Sequence, residues 1–348
     1  MATVETQRRD YADNDDQGDR MRGGILGMSF GGPNIYFAEV MREATHFVVQ
    51  KFGTIATNMK FGSGIEGVEK NIRDLNSYVS GCIEDNRIQA RRLSLCLNSH
   101  LVSINRMQID PDCSDEEFES QIKWEFNQNV LEDVDQYMVN TSNLRKGSAR
   151  QLPSLLVVGV RRRFVETLSQ VLEKSKIALS NMDVDILCTH ATYEINYGPC
   201  DRGLTALVEA KTGIGTVALC RDFEVEQVYQ FSTPLKMSPA KLGDLINHHL
   251  DNFLDMYNEE THDEKVIGRV ILCNSMAKET APFVDGRFYP EVIKPFHKIE
   301  FSDEYKMQIK GAESAGEGDK NKTKVQLVEP DYTPYAECVG AAIKLLAD

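Results

Sequence analysis

Two short glycine-bearing stretches hold the residues best suited to chemistry. In Val208-Glu-Ala-Lys-Thr-Gly-Ile-Gly215 the carboxylate Glu209 ends a β-rich run and is followed by Lys211, Thr212 and Gly213. In Met28-Ser-Phe-Gly-Gly-Pro-Asn34 the hydroxyl of Ser29 precedes Gly31 and Gly32. A glycine hairpin between strands can turn backbone N–H groups toward a phosphate. A carboxylate at the strand end could anchor magnesium or act as a base in phosphoryl transfer. Taken alone, each stretch also reads as an ordinary hairpin, because Gly31-Gly32-Pro33-Asn34 supplies the left-handed and fixed-φ residues of a tight turn.

Holding two such turns together takes two similar units. Residues 24–52 read as three consecutive strands opening on the first hairpin. Residues 204–209, 216–220 and 223–231 repeat that layout around the second hairpin, and Ser29 and Glu209 hold equivalent places in the two. A repeated strand–turn–strand–strand unit suggests two halves facing each other, with both hairpins in one cleft. This is the architecture of the actin-like ATPases.

The remaining pattern supplies the layers around that cleft. Val68, Ile72, Leu75, Val79 and Ile83 recur at helical spacing. Ser114 with Glu117 three residues later is a capping box, and Ser238-Pro239 is a helix start with the proline at the first helical position. Residues 100–178 read as strand, helix, strand, strand, helix, a compact unit of its own. Residues 1–22 are polar and read as a flexible tail. Residues 302–330, charged and glycine-rich, read as a long mobile loop.

The totals exclude several classes. At 348 residues, 41% hydrophobic and 26% charged, the chain has an ordinary globular composition with room for two or three domains. A net charge of −14 argues against a general nucleic-acid or anionic-membrane surface. The eight cysteines are scattered, without a C-x-x-C pair, and read as small core residues of a reducing compartment. The seven histidines have no metal spacing. No apolar run approaches a membrane span and no leader pattern opens the chain, so a cytoplasmic protein is expected, linked to a membrane only through a partner.

Several strings, in order, resemble the type IV pilus assembly protein PilM family, which is related to FtsA. Glu116-Glu117-Phe118 to Trp124-Glu125 resembles the family's "EE…I.WE" helix, and residues 133–137 its strand entry. Leu155-Leu-Val-Val-Gly-Val-Arg161 resembles "LLVAARK", and Asn181-Met-Asp-Val-Asp185 the "VDVE" return strand. Thr333-Pro-Tyr-Ala-Glu-Cys-Val-Gly-Ala-Ala342 resembles the terminal segment ending in "GLA". The resemblance covers nearly all of residues 25–346. It implies an α/β, actin-like fold of two RNase H-like halves with a small inserted α+β subdomain, 1C-like as in FtsA. The first half would be 23–99 and 179–202 with the closing helix 333–348; the insert, 100–178; the second half, 203–332.

The resemblance also implies partners: the cytoplasmic N-terminal peptide of a PilN-like inner-membrane protein near the insert, the pilus motor ATPases, and further copies of the chain. An extended segment would dock in a groove between subdomains. Trp124 would either shape that groove or pack on the buried side of its helix. The second is expected, since a lone aromatic in an apolar stripe usually packs.

The family's nucleotide motifs are altered. Where the first loop reads "LDIGSSSVK", Ser29 replaces the acidic residue, Tyr36 the lysine, and Gly32 and Pro33 the hydroxyls; Pro33 has no N–H to offer. Where the second reads "VDIGASTT", Glu209 keeps the charge, Lys211 takes the place of a glycine, and Ile214 and Gly215 replace hydroxyls. The adenosine-side turn, normally consecutive glycines, is Asn274-Ser275-Met276. The expectation is a scaffold without ATP hydrolysis and without a resident cofactor or metal. Were ATP and magnesium retained, their residues would be Ser29, Gly31, Gly32, Glu209, Lys211, Thr212, Gly213, Asn274 and Ser275. The alternative is an active actin-like ATPase or sugar-kinase-like phosphotransferase using Glu209, whose plainer reading is a strand-end glutamate paired with Lys211. An FtsA-like division adaptor would want a C-terminal amphipathic membrane helix, which the chain does not show.

Overall fold

The computed structural model describes residues 23–347 apart from 32–33, 58–64, 109–112, 131, 145–153, 212, 235, 263, 274–275 and 304–330. The expected tail 1–22 and almost all of the expected loop 302–330 lie outside the described residues.

Strand β1 (Ile25–Gly31) pairs antiparallel with β2 (Asn34–Glu43), down to Gly31 opposite Asn34, and β2 pairs with β3 (His46–Ala56). On the other side of β1, β4 (Arg92–Leu97) and then β8 (Ala178–Val184) add in parallel. The second sheet repeats this plan. Strands β9 (Leu204–Ala210), β10 (Gly213–Arg221) and β11 (Glu224–Thr233) form the antiparallel meander, and β12 (Ile267–Cys273) and β13 (Pro290–Val292) add in parallel. The register makes the two units correspond in detail. Ser29 lies opposite Tyr36 and Cys96; Glu209 lies opposite Thr216 and Cys273. Two sheets built on this one plan are the two RNase H-like halves of an actin-like fold.

Strand β1 is buried on both faces, which is why it reads as a nearly continuous apolar run. Leu26, Met28 and Phe30 face helices α1 (Ile65–Asp85) and α3 (Arg162–Leu172), through Leu75, Val79, Phe164 and Leu168. Ile25, with Ala38 and Val40 of β2, faces the closing helix α7 (Ala336–Ala347) through Cys338, Val339 and Ala342. Gly27 is required there, because a Cβ would lie 1.9 Å from the Cys338 carbonyl oxygen. In the second half, Leu242, Ile246, Leu250 and Phe253 of α5 (Pro239–Thr261) pack on β9 and β12.

The insert holds β5 (Val102–Gln108), α2 (Asp115–Asn129), β6 (Tyr137–Leu144) and β7 (Ser154–Arg161), and leads into α3. Its sheet runs β5-β7-β6, antiparallel throughout. The Ser114–Glu117 capping box forms at the start of α2. Phe126 is the core residue of that helix, against Met107, Leu155 and Val157.

Two expectations are corrected. Trp124 is 66% exposed and does not pack in the core. Residues two apart on a helix lie on nearly opposite sides, so Trp124 faces away from the side that buries Phe126. Within the segment assigned to the second half, β14 (Glu300–Phe301) adds to β3 at the edge of the first half's sheet. Among the described residues no helix is long and apolar enough to cross a membrane.

Candidate functional site

Lys211, on the second hairpin, lies where that hairpin reaches the helices beside the first half's sheet. Lys211 follows the end of β9 and opens the turn into β10. Its own N–H donates to the Ile214 carbonyl at 2.9 Å, and Thr233 Oγ1 donates to its carbonyl. The N–H that a phosphate loop would aim at a ligand is thus committed to the turn. Gly213 is held at φ +93, a conformation that favours glycine, and lets the turn close.

The Lys211 side chain reaches across to the starts of two helices. Its Nζ lies 2.5 Å from Asp185 Oδ2, 2.8 Å from Glu337 Oε1 and 3.5 Å from Glu209 Oε2. Asp185 is the first residue of α4 (Asp185–Asn196), and Glu337 lies in the first turn of α7. Both carboxylates therefore sit at helix N-termini, where the backbone dipole favours negative charge. The helices bring them together because they cross almost backbone to backbone at Gly340. A Cβ there would lie 1.7 Å from the Cys188 carbonyl oxygen.

Each carboxylate has further support. Asp185 Oδ2 accepts the Ser99 N–H at 2.9 Å, and Oδ1 accepts from Ser99 Oγ and from the Ile186 N–H. Glu209 Oε1 accepts from Thr189 Oγ1. Glu337 Oε2 faces the Cys96 thiol at 3.8 Å. Glu209 Oε2 has ion-pair proximity to Lys211 but no direct hydrogen bond of good length.

The electrostatics follow from burial. Burial disfavours charge on Lys211, and Asp185, Glu209 and Glu337 together outweigh it, so its ammonium is held well above the usual lysine range. Burial, with Asp185 and Glu337 beside it, pushes the Glu209 carboxyl well up despite Lys211. Burial raises Glu337 in the same way. A magnesium ion bridging phosphates would need the carboxylate oxygens that the ammonium already holds. Among the described residues no group of three or more His, Cys, Asp or Glu side chains is placed to hold a metal.

On the opposite wall, Ser29 is fully buried beside Cys96, and its Oγ has no hydrogen-bond partner among the described residues. Tyr36, standing where the family has a lysine, packs edge-on against Tyr335 with ring centres 5.4 Å apart. Ser29, Gly31, Glu209, Lys211 and Gly213 are described; Gly32, Thr212, Asn274 and Ser275 lie outside the described residues. The sequence reading missed Asp185 and Glu337. The available signal was that each is an acidic residue inside a string shared with the family.

Helix α4 also carries His190. His190 Nε2 lies 2.6 Å from the Phe223 carbonyl oxygen, and burial lowers its pKa from 6.5 to about 4 despite that contact. Between those values the unfolded chain binds the extra proton. Stability therefore falls as the pH drops through about 6.5 to about 4, by about 3 kcal/mol. His190→Gln, which can still donate to Phe223, should flatten that part of the stability curve measured by urea unfolding; an unchanged slope would contradict this.

The family model of the type IV pilus assembly protein PilM matches residues 27–218. No curated protein sequence matches the chain. Among solved structures, the PilM–PilN type IV pilus biogenesis complex is similar in fold, with TM-score 0.69 and 13% identity, covering 93% of this chain and 99% of that one. The cytoplasmic domain of EpsL, an inner-membrane component of the type II secretion system of Vibrio cholerae, gives a TM-score of 0.43 at 14% identity, over 84% of this chain and 95% of that one. A Bacteroides thetaiotaomicron protein with an actin-like ATPase fold gives 0.45 at 8% identity, over 80% and 93%. The family match spans more than half the sequence, including the first strands, the insert and the β9–β10 hairpin that carries Lys211: the chain belongs to the type IV pilus assembly protein PilM family.

Proposed function

We propose that the protein is a scaffold of a type IV pilus or related secretion machine that binds the cytoplasmic N-terminal tail of a PilN-like inner-membrane protein and does not hydrolyse ATP. It works in the cytoplasm, at the inner membrane through that partner, in reach of the motor ATPases and of further copies of itself. The observation that carries the non-catalytic reading is the Lys211 ammonium among Asp185, Glu209 and Glu337. Phosphoryl transfer needs a carboxylate free for magnesium or for the nucleophile. Glu209 is instead buried, bonded to Thr189 and beside a lysine. Magnesium-ATP does not fit this arrangement. Partner binding is supported by the family relationship and by the likeness to a protein solved with PilN.

Calorimetric titration tests the partner. The probe is a synthetic peptide of the cytoplasmic N-terminus of a single-span membrane protein encoded beside this chain. One-to-one micromolar binding, unchanged by magnesium-ATP, is expected. No heat at millimolar peptide would overturn the reading. Trp124, exposed on the insert, is the side chain to probe in the same titration. Trp124→Ala should weaken binding about tenfold, as loss of an interface aromatic does, and leave the unfolding temperature unchanged.

A further inference from the structure

The cluster around Lys211 joins parts of the chain that belong to different halves. Glu209 and Lys211 stand on the β9–β10 hairpin of the second half. Asp185 opens α4, which packs through Ile186 and Tyr193 on β9, β10 and β12, whereas Glu337 stands on α7, which lies on β1 and β2 of the first half. The lysine stem leaves the second half's hairpin, and its ammonium ends 2.8 Å from Glu337 on the first half's closing helix and 2.5 Å from Asp185 on the helix between. A charged group so enclosed is stable only where its partners surround it. If the halves parted, Glu337 would lose the cation while Cys338 and Val339 beside it stayed buried on β1 and β2.

We propose that Lys211 is a tethered cation that holds the two halves closed across the cleft, so that closure requires no bound ligand. The class of group this site takes is a primary ammonium, supplied by the chain itself. The inference rests on the reading that the cleft takes no nucleotide, and its test is separable from that reading. A scaffold locked in this way presents the same groove at all times, where a nucleotide-gated relative would present it only in one state.

The test is hydrogen exchange on the full-length protein in nucleotide-free buffer, read in the segments around residues 183–189, 204–216 and 333–340. Lys211→Ala should exchange about tenfold faster in all three, while segments of α2 and β7 in the insert keep their protection. Ethylammonium chloride should restore protection in Lys211→Ala, and sodium chloride at equal ionic strength should not, because only the amine can fill the vacated space with an N–H donor. Should Lys211→Ala fail to fold, Lys211→Met combined with Glu209→Gln and Glu337→Gln removes two of the three unpaired charges and leaves Asp185 held by the N–H groups of Ser99 and Ile186. It should fold and still show faster exchange in the same segments. Wild-type protection at 183–189 and 333–340 in either variant would overturn the proposal. Added magnesium-ATP that protects the wild type further would instead fail the nucleotide-free reading, leaving the Lys211 result to be judged alone.

Discussion

Gly340→Ala is expected to destabilise the protein by about 3 kcal/mol or more, a large fraction of the stability of any domain. The added methyl would meet the backbone carbonyl of Cys188 on α4, with its oxygen 1.7 Å and its carbon 2.5 Å away. No flexible side chain can yield there, so one helix must move. The movement would also separate Asp185 from Glu337, since both sit at the ends of the helices that cross at this point. Urea unfolding measures the loss. Gly81→Ala on α1, where a Cβ meets nothing within 4 Å, is the control and should be neutral or slightly stabilising. Equal stability of Gly340→Ala and the wild type would mean that the helices do not cross as closely as described.

Asp185→Ala should cost about 3–5 kcal/mol, the loss typical of breaking a buried ion pair by removing one partner. Asp185 is fully buried and accepts from Ser99 N–H, Ser99 Oγ and the Ile186 N–H in addition to Lys211. Its removal leaves the Ser99 donors without an acceptor and takes away the nearest counter-charge of Lys211. Glu209→Gln is the contrasting variant. The fold already resists ionisation of Glu209, so the amide should cost about 1 kcal/mol or less. A larger loss from Glu209→Gln than from Asp185→Ala, measured by the same urea titration, would reverse the assignment of which carboxylate anchors the lysine.

What the sequence disclosed was whatever depends on neighbours along the chain. The capping box at Ser114, the proline at the start of α5 and the two glycine hairpins are local, and they form where the residue types require them. The correspondence of Ser29 with Glu209 was legible because a repeat keeps its spacing, and the paired registers bear it out. Lys211 was visible as a cation out of place in a phosphate loop. Its counter-charges were not, because Asp185 and Glu337 reach it only after α4 and α7 dock, and docking depends on Gly340 rather than on either acid. The return strand expected to include Asp185 ends instead at Val184, which puts Asp185 at a helix start. Trp124 was misplaced because Phe118, Ile122 and Phe126 define the buried stripe at a spacing of four, and Trp124 falls between its members. Strand β14 is two residues long, too short for any alternation to show.

Whether Lys211 has replaced the nucleotide is tested most directly by calorimetric unfolding of the purified protein with and without millimolar magnesium-ATP. No shift of the transition is predicted, because the carboxylates a magnesium ion would need are already paired with the lysine. A magnesium-dependent stabilisation of about 2.7 kcal/mol, the effect of a ligand at about 100 times its Kd, would contradict it and return Glu209 to consideration as a catalytic carboxylate.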